Sequence, residues 1–260
     1  MKGIINITIW IISIAGLTVL YGFARESYRS SIIQDMKVSI VRPEFRGFLD
    51  ENLILNTIYN QADSIVGRQV KHINTHNINT ILNKIPWVSS NQICISLDGT
   101  LHLYISERQA FLRIFSQKGE SFYIDQQGFI FPKSTSFTSR VRIVSGYLHL
   151  PSQQKLITSH IQDSILIDSR LHELYTLEHK LRENHFLDAL VDQIYINSLG
   201  DIELVPKIGK ATVLLGNMEM LELKLSNMSH YYKTSASKPE MLDYRTINLK
   251  FRNQIVCIKI

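Results

Sequence analysis

The residues best placed to do chemistry are serines followed three positions later by a lysine. This Ser-x-x-Lys spacing occurs at Ser152–Lys155 and again at Ser235–Lys238, and it is the spacing of an acyl-transfer nucleophile. With 25 serines and 15 lysines in 260 residues, roughly one or two such pairs are expected by chance. The companion Lys-Thr-Gly is missing, since Lys233-Thr234 is followed by serine. A membrane-anchored cell-wall enzyme using Ser152 and Lys155 is therefore an alternative and not the leading hypothesis.

Histidines offer little support for a metal site. His72 and His76 are four residues apart, a spacing that can chelate a metal on one helix face, but no third ligand lies close in sequence. A second group, His172, His179 and His185, falls on or near one predicted helix among Glu173, Glu178 and Glu183. That mixture is typical of a solvated face with local ion pairs. We expect no metal and no cofactor.

The two cysteines, Cys94 and Cys257, fall on predicted strands in different domains. They are too few for a disulfide framework, and no Cys-x-x-Cys is present. A disulfide between them would require those two strands to lie side by side, so two buried free thiols are the favoured prediction and a disulfide is the alternative.

The chain has 260 residues, of which 45% are hydrophobic and 20% are charged, so disorder is excluded as the main state. The net charge of +5 resides in residues 207–260, which carry nine basic and four acidic groups. Such a surface is either an ordinary solvated face or a docking edge for an acidic partner. Nucleic acid is not expected as a partner of an exported domain.

Residues 4–23 form an uncharged apolar stretch of the length that crosses a bilayer once as a helix. A cleaved signal peptide is the alternative, but its apolar region is typically shorter, about 7–15 residues. Lys2 before the stretch and Arg25 and Arg29 after it leave the charge rule for orientation undecided. We expect a cytoplasmic tail (1–3), an anchor (4–23), a polar tether (24–36) and export of the rest.

After the tether, residues 37–106 have the pattern of a small α+β domain. A half-buried strand at 37–42 precedes a helix capped by Asp50, and a second helix ends at Pro86. Alternating runs around Asp98-Gly99 predict a hairpin with a type I′ turn. The order is strand, helix, helix, strand, strand, with both helices on one face of the sheet.

Residues 107–260 predict a larger mixed α/β domain on a long sheet. Short apolar runs alternate with glycine-containing turns, and Asp168-Ser169 and Asn217 can begin two amphipathic helices. Two final strands, 245–251 and 255–260, flank Arg252-Asn253. The overall fold class is α+β.

In this order, several short motifs resemble the FtsQ/DivIB family of bacterial cell-division proteins. The motifs are Ile85-Pro86-Trp87-Val88, Leu101 to Arg108, Tyr123 to Gly128, Val144-Ser145-Gly146, Glu203 to Gly209, Leu215-Gly216 and Ile247 to Cys257. Asn248-Leu249-Lys250-Phe251 stands where Asp-Leu-Arg-Tyr is more usual in the family. Each motif alone is weak, but their shared order covers essentially the whole chain.

The resemblance implies a non-enzymatic division scaffold in the bacterial inner membrane, with a POTRA domain at 37–106 and a β domain at 107–260 in the periplasm. It further implies that FtsB- and FtsL-type partners bind the C-terminal β region and that the protein helps control septal peptidoglycan synthesis. A strand at a sheet edge can bind a partner in this way, because its backbone N–H and C=O groups are unpaired. The residues expected to form that edge are Ile247, Leu249, Lys250, Phe251, Arg252, Ile255, Val256, Ile258 and Lys259.

Two further expectations follow from the first domain. Its hairpin strand at Leu101–Ile105 is a second candidate docking edge, through which other division proteins could bind. A POTRA protein of outer-membrane transport is a second alternative function, although no series of alternating barrel strands is evident.

Overall fold

The structure, a computed structural model, describes residues 2–43, 46–61, 65–157, 159–235, 243–252 and 254–260. Predictions that involve Met1, Lys238 or Asn253 lie outside the described residues. The chain divides into two compact units, Met1–Glu107 and Arg108–Ile260. The predicted fold class is confirmed, since an apolar N-terminal helix and a small α+β domain precede a large domain on a mixed sheet.

The first unit contains the apolar helix and the small domain. Its elements are α1 (Lys2–Ser30), β1 (Asp35–Val41), α2 (Glu51–Gln61), a 3-10 turn (Val70–His72), α3 (Thr75–Asn83), β2 (Val88–Ile95) and β3 (Thr100–Glu107). Asp50 caps α2 as predicted, since its Oδ1 accepts the Leu53 N–H at 2.7 Å. Asn74 caps α3 in the same way, accepting the Asn77 N–H at 3.0 Å. Buried apolar residues of both helices pack on the small sheet.

In the small sheet, β3 is the central strand and not an edge. Within the described residues the strand order is β1-β3-β2, with β1 parallel to β3 and β2 antiparallel to it. The prediction of a docking edge at Leu101–Ile105 is therefore wrong. The hairpin pattern alone could not reveal this, because each residue of β1 pairs with a residue of β3 that lies 65 positions later in the sequence.

The hairpin turn also differs from the prediction. Gly99 has a positive φ of 82°, but Asp98 does not, so a type I′ turn is excluded. Instead the Gly99 N–H donates to the Ser96 carbonyl and the Ser96 N–H to the Thr100 carbonyl, both at 3.0 Å. Asp98 Oδ1 accepts from Ser96 Oγ and from the Thr100 N–H, which explains why this residue favours the turn without a positive φ.

Helix α1 extends beyond the uncharged stretch. It continues from Phe23 through Ser30, so that the first part of the segment expected as a tether is helical. Tyr28 Oη then donates to the Ile95 carbonyl at 2.9 Å, which joins the end of the helix to the small sheet.

The second unit consists of a long sheet with its helices. The strands are β4 (Ala110–Phe115), β5 (Ser121–Asp125), β6 (Ile130–Pro132), β7 (Arg142–Gly146), β8 (Val191–Ile196), β9 (Ile202–Pro206), β10 (Thr212–Gly216), β11 (Tyr244–Asn248) and β12 (Val256–Lys259). The helices are α4 (Gln153–Leu156), a 3-10 helix (Ser164–Ser169), α5 (Leu171–Glu183), α6 (His185–Leu190) and α7 (Leu221–Ser235). Within the described residues the strand order is β12-β11-β10-β9-β8-β7-β4-β5-β6.

One face of this sheet forms the core with α5, α6 and α7. Alternate residues such as Val144, Ile194 and Val213 are fully buried, and the leucines of α5 pack against them. The predicted helix residues Leu171, Leu174, Leu177 and Leu181 are all buried, as the spacing required.

Glu178 is not on a solvated face. Its carboxylate is fully buried and accepts hydrogen bonds from Arg142 and from Arg182. The prediction for this position is wrong because Arg142 lies 36 residues earlier on β7, where no helix-based pattern could reveal it.

Both cysteines of the chain lie within the described residues and are free thiols. Cys257 is partly buried, but Cys94 is exposed, so the prediction of a buried thiol is wrong there. Alternation explains the difference, because Ile93 and Ile95 pack on the core of the first unit and Cys94 points to the opposite face.

Candidate partner-binding edge

Strand β12 lies at one edge of the long sheet in the described part of the chain. It pairs antiparallel with β11, which in turn pairs parallel with β10. The Ile260 N–H donates to the Asp243 carbonyl at 2.8 Å, just beyond the strand. Because backbone groups alternate sides along a strand, Val256 and Ile258 also bond toward β11. The N–H and C=O groups of Cys257 and Lys259 therefore point outward.

Two of the predicted edge residues are buried. Ile247 lies in β11 opposite Cys257, and Leu249 follows that strand, with its N–H donating to the Leu214 carbonyl at 2.9 Å. Both side chains belong to the core of the second unit. They hold β11 in place, and their side chains are not available on the surface.

The side chains of β12 divide between two faces. Ile255 and Cys257 pack against the core, and Cys257 Sγ lies 3.8 Å from Tyr231 Oη of α7. Burial, and then the hydrogen bond with Cys257, raises the pKa of Tyr231 well above its usual range, so this hydroxyl stays neutral at physiological pH. Val256 and Ile258 point to the other face, where Ile258 is 49% exposed.

Ile260 continues this second face and was missed by the sequence reasoning. It is 75% exposed and follows Ile258 by two residues. The sequence pattern could have identified Ile260, because alternation places residues 256, 258 and 260 on one side of an extended strand.

The loop between β11 and β12 carries two of the charged residues of the candidate edge, Lys250 and Arg252. Lys250 Nζ donates to Asp201 Oδ2 at 2.8 Å, and its alkyl chain lies over Gly216, where an added Cβ would come 2.8 Å from Lys250 Cγ. Phe251 and Arg252 are exposed at the turn.

Four cations of residues 207–260 lie on β11, β12 or the loop between them: Arg245, Lys250, Arg252 and Lys259. Lys207, Lys210 and Lys233 are exposed outside these segments. Arg245, Arg252 and Lys259 are exposed, whereas Lys224 is buried and donates to the Asn217 carbonyl at 2.9 Å. Burial lowers the pKa of Lys224. The surface charge of the edge therefore comes from β11, β12 and their loop, not from α7.

The serine–lysine pair considered for catalysis lies elsewhere on the surface of the second unit. Ser152 precedes α4, and its carbonyl accepts the Lys155 N–H at 2.9 Å. Both residues are exposed to solvent. His72 and His76, considered for a metal site, lie in the 3-10 turn and in α3 of the first unit.

Comparison with known families follows the division into two units. Residues 109–258, more than half of the chain, match the family described as FtsQ/DivIB, C-terminal related. The chain belongs to the FtsQ/DivIB family. Residues 31–106 match the POTRA-like domain, in agreement with the small sheet and its two helices. No curated protein matches the chain.

Family membership confirms the resemblance seen in the sequence and suggests a role in cell division. The FtsQ/DivIB family is generally a family of non-enzymatic scaffolds. In the described part of the chain, Ile9–Ser30 is a helix long and apolar enough to cross a membrane, which fits a single-pass membrane protein.

Proposed function

We propose that this FtsQ/DivIB-family protein is a non-enzymatic scaffold of the division machinery that binds FtsB- and FtsL-type partners by strand addition at β12. We propose further that it is anchored in the inner membrane with its N-terminus cytoplasmic and both domains periplasmic. From that position it helps to control septal peptidoglycan synthesis.

The observation that carries the proposal is the position of β12 at the edge of the long sheet, with outward backbone groups at Cys257 and Lys259. An added strand would bond to those groups and continue the sheet. Val256, Ile258 and Ile260 then offer apolar contact on the face away from the helices.

Charge supports the same edge. Arg245, Arg252 and Lys259 are exposed around β12, and they favour a partner segment with acidic residues. The partner class proposed is therefore an extended strand with alternate apolar side chains and acidic residues at its rim.

The decisive experiment removes one outward N–H without changing the pairing of β12 with β11. In Lys259→Pro the outward donor is lost, and in Lys259→Ala the charge is lost but the donor remains. We expect Lys259→Pro to weaken capture of an FtsB-type partner at least tenfold and Lys259→Ala to weaken it only slightly. The measurement is a pull-down titration from detergent-solubilised membranes, with circular dichroism to check the fold.

Two further variants test the side chains. A charge at Val256 or at Phe251 should abolish capture while the protein stays folded, since either change disrupts apolar contact beside the edge. Equal capture by wild type and Lys259→Pro would overturn strand addition at β12, even if the protein binds the division machinery elsewhere.

A further inference from the structure

The end of α1 is enclosed by three loops of the small domain, here called the collar: residues 31–34, residues 66–72 and the hairpin turn 96–99. Hydrogen bonds join the three loops directly. The Ile33 N–H donates to the Arg68 carbonyl and the Gly67 N–H to the Ile33 carbonyl, both at 2.8 Å. The Gln34 N–H donates to the Gly99 carbonyl at 2.9 Å.

The last turn of α1 is fixed to the end of β2, next to the collar, and the residue after α1 is fixed to the 66–72 loop. Tyr28 Oη donates to the Ile95 carbonyl at 2.9 Å, and the Val70 N–H donates to the Ser31 carbonyl at 2.9 Å. The small domain is thus attached where the helix ends, so the collar stays close to whatever surrounds that end.

Each loop of the collar presents an exposed apolar side chain. Ile32 is 50% exposed, Val66 is 40% exposed and Leu97 is 87% exposed. A single exposed apolar residue is ordinary, but these three lie on loops that are hydrogen-bonded to one another at the end of α1. Leu97 is the most informative of the three about a binding surface, because the tip of this tight turn does not require an apolar residue.

Cations lie in the collar and in the last turns of α1. Arg25 and Arg29 lie on the last turns of α1, and Arg68 and Lys71 lie in the 66–72 loop, with His72 beside them. In the same segments the acidic residues are Glu26 and Asp98, and Asp98 Oδ1 is engaged by Ser96 and the Thr100 N–H. Apolar side chains among Arg and Lys are the composition of a surface that lies in an anionic bilayer interface.

The length of α1 places the collar close to the headgroups of the bilayer. Seven residues separate Phe23 from Ser30, about 10 Å along the helix axis. The headgroup layer is about 5–7 Å thick on each side of the hydrocarbon, and charge interactions extend roughly 8 Å further at physiological salt. Loops at the end of α1 therefore come within reach of lipid headgroups.

We propose that the collar is a second membrane contact, in which Arg25, Arg29 and Lys71 bind anionic phospholipid headgroups and Ile32, Val66 and Leu97 face the headgroup layer. This inference rests on α1 being the membrane anchor of the proposed function. Its consequence is that the small domain is held at a fixed distance from the bilayer surface.

The test uses the full chain in nanodiscs of phosphatidylcholine, with or without phosphatidylglycerol. A nitrobenzoxadiazole probe is attached at Leu97→Cys in a Cys94→Ser, Cys257→Ser background, and lipids that carry a nitroxide on the headgroup report contact by quenching. The matched control is a probe at Val41→Cys, which is 61% exposed and lies at the far end of β1, about 20 Å along the strand from Asp35. We expect stronger quenching at 97 than at 41, and more with phosphatidylglycerol present.

The charge contribution is tested separately. Arg29→Glu with Lys71→Glu should reduce quenching at 97 to the level of the Val41 probe, whereas Lys84→Glu, outside the collar, should not. Equal quenching at 97 and 41 would overturn the proposal, and so would a response at 97 that appears only when an FtsB- or FtsL-type partner is added.

Quenching of Trp10 tests insertion of α1 independently of the collar. With Trp87→Phe as background, bromolipid quenching of Trp10 reports insertion of α1. If Trp10 is quenched but the probe at 97 is not, the collar proposal fails and the anchor stands. An unquenched Trp10 would overturn the anchor and the collar together.

Discussion

A fully buried carboxylate lies between two guanidinium groups in the second unit. Glu178 Oε1 accepts from Arg182 Nε at 2.6 Å, and Oε2 accepts from Arg142. Arg142 also donates to the Val191 carbonyl at 3.0 Å and to Asp188 Oδ1 at 2.9 Å. The cluster therefore joins α5 to β7, to β8 and to α6, and each buried charge has a partner.

Removing the carboxylate charge should destabilise the second unit. In Glu178→Gln the partly exposed Arg182 loses its anionic partner and the buried Arg142 keeps only Asp188, which costs about 3–5 kcal/mol in the free energy of unfolding. The measurement is urea denaturation followed by circular dichroism.

Glu183→Gln on the same helix is the matched control. Glu183 pairs with Lys180 at 3.1 Å, but its side chain is 63% exposed, and such a pair contributes about 1 kcal/mol or less. Equal effects of the two substitutions would contradict a structural role for the buried cluster.

At the scale of elements, one glycine determines how closely two strands can approach. Gly146, at the end of β7, has φ of 110°, and a Cβ there would lie 2.1 Å from the Ile196 carbonyl oxygen of β8. No flexible side chain can give way, because the obstructing atoms belong to the backbone.

Gly146→Ala should therefore destabilise the long sheet by more than the cost of placing alanine at a positive φ. The left-handed backbone costs about 1–2 kcal/mol for alanine, and the overlap with β8 adds about 1–3 kcal/mol. The control is Gly119→Ala, which has φ of 81° but no atom within 4 Å of the added Cβ. Chemical denaturation should show a clearly larger loss of the free energy of unfolding for Gly146→Ala than for Gly119→Ala. Equal losses would show that β7 and β8 can move apart at no cost.

The strands also show which features of the fold a sequence can predict. Strand alternation predicted the hairpin of β2 and β3 and the burial of Leu101 and Ile105, because these depend on neighbours in sequence. Alternation could not predict that β1 pairs on the other side of β3, since that contact joins distant segments. The missed exposure of Cys94 follows from face assignment, which needs the position of the helices.

The residues of the candidate edge also fall into two groups, those that alternation places correctly and those whose burial depends on distant strands. Val256 and Ile258 could be chosen from alternation, and they lie on an exposed face. Ile247 and Leu249 share the apolar character, but the neighbouring β10 and the core bury them. Only the sheet order distinguishes an apolar residue of an inner strand from one of an edge strand.

At the scale of the whole molecule, the chain combines an apolar helix long enough to cross a membrane, a small POTRA-like domain and a long sheet with an open edge strand. Family membership suggests a role in cell division, and the proposed edge and collar each require folded surfaces but no reacting group. The remaining enzyme hypothesis depends on one solvent-exposed pair, Ser152 and Lys155.

Function in cells should therefore be insensitive to loss of that pair. Ser152→Ala removes the only hydroxyl that the enzyme hypothesis uses, so a nucleophilic role predicts loss of division, whereas a scaffold role predicts none. The measurement is complementation of a depleted strain, scored by cell length, with Ser159→Ala as the matched control for serine loss in the same segment. Filamentous cells with Ser152→Ala but not with Ser159→Ala, at equal protein levels, would favour the enzyme. Normal division with both variants, together with loss of division in Lys259→Pro, is the result that a scaffold acting through β12 requires.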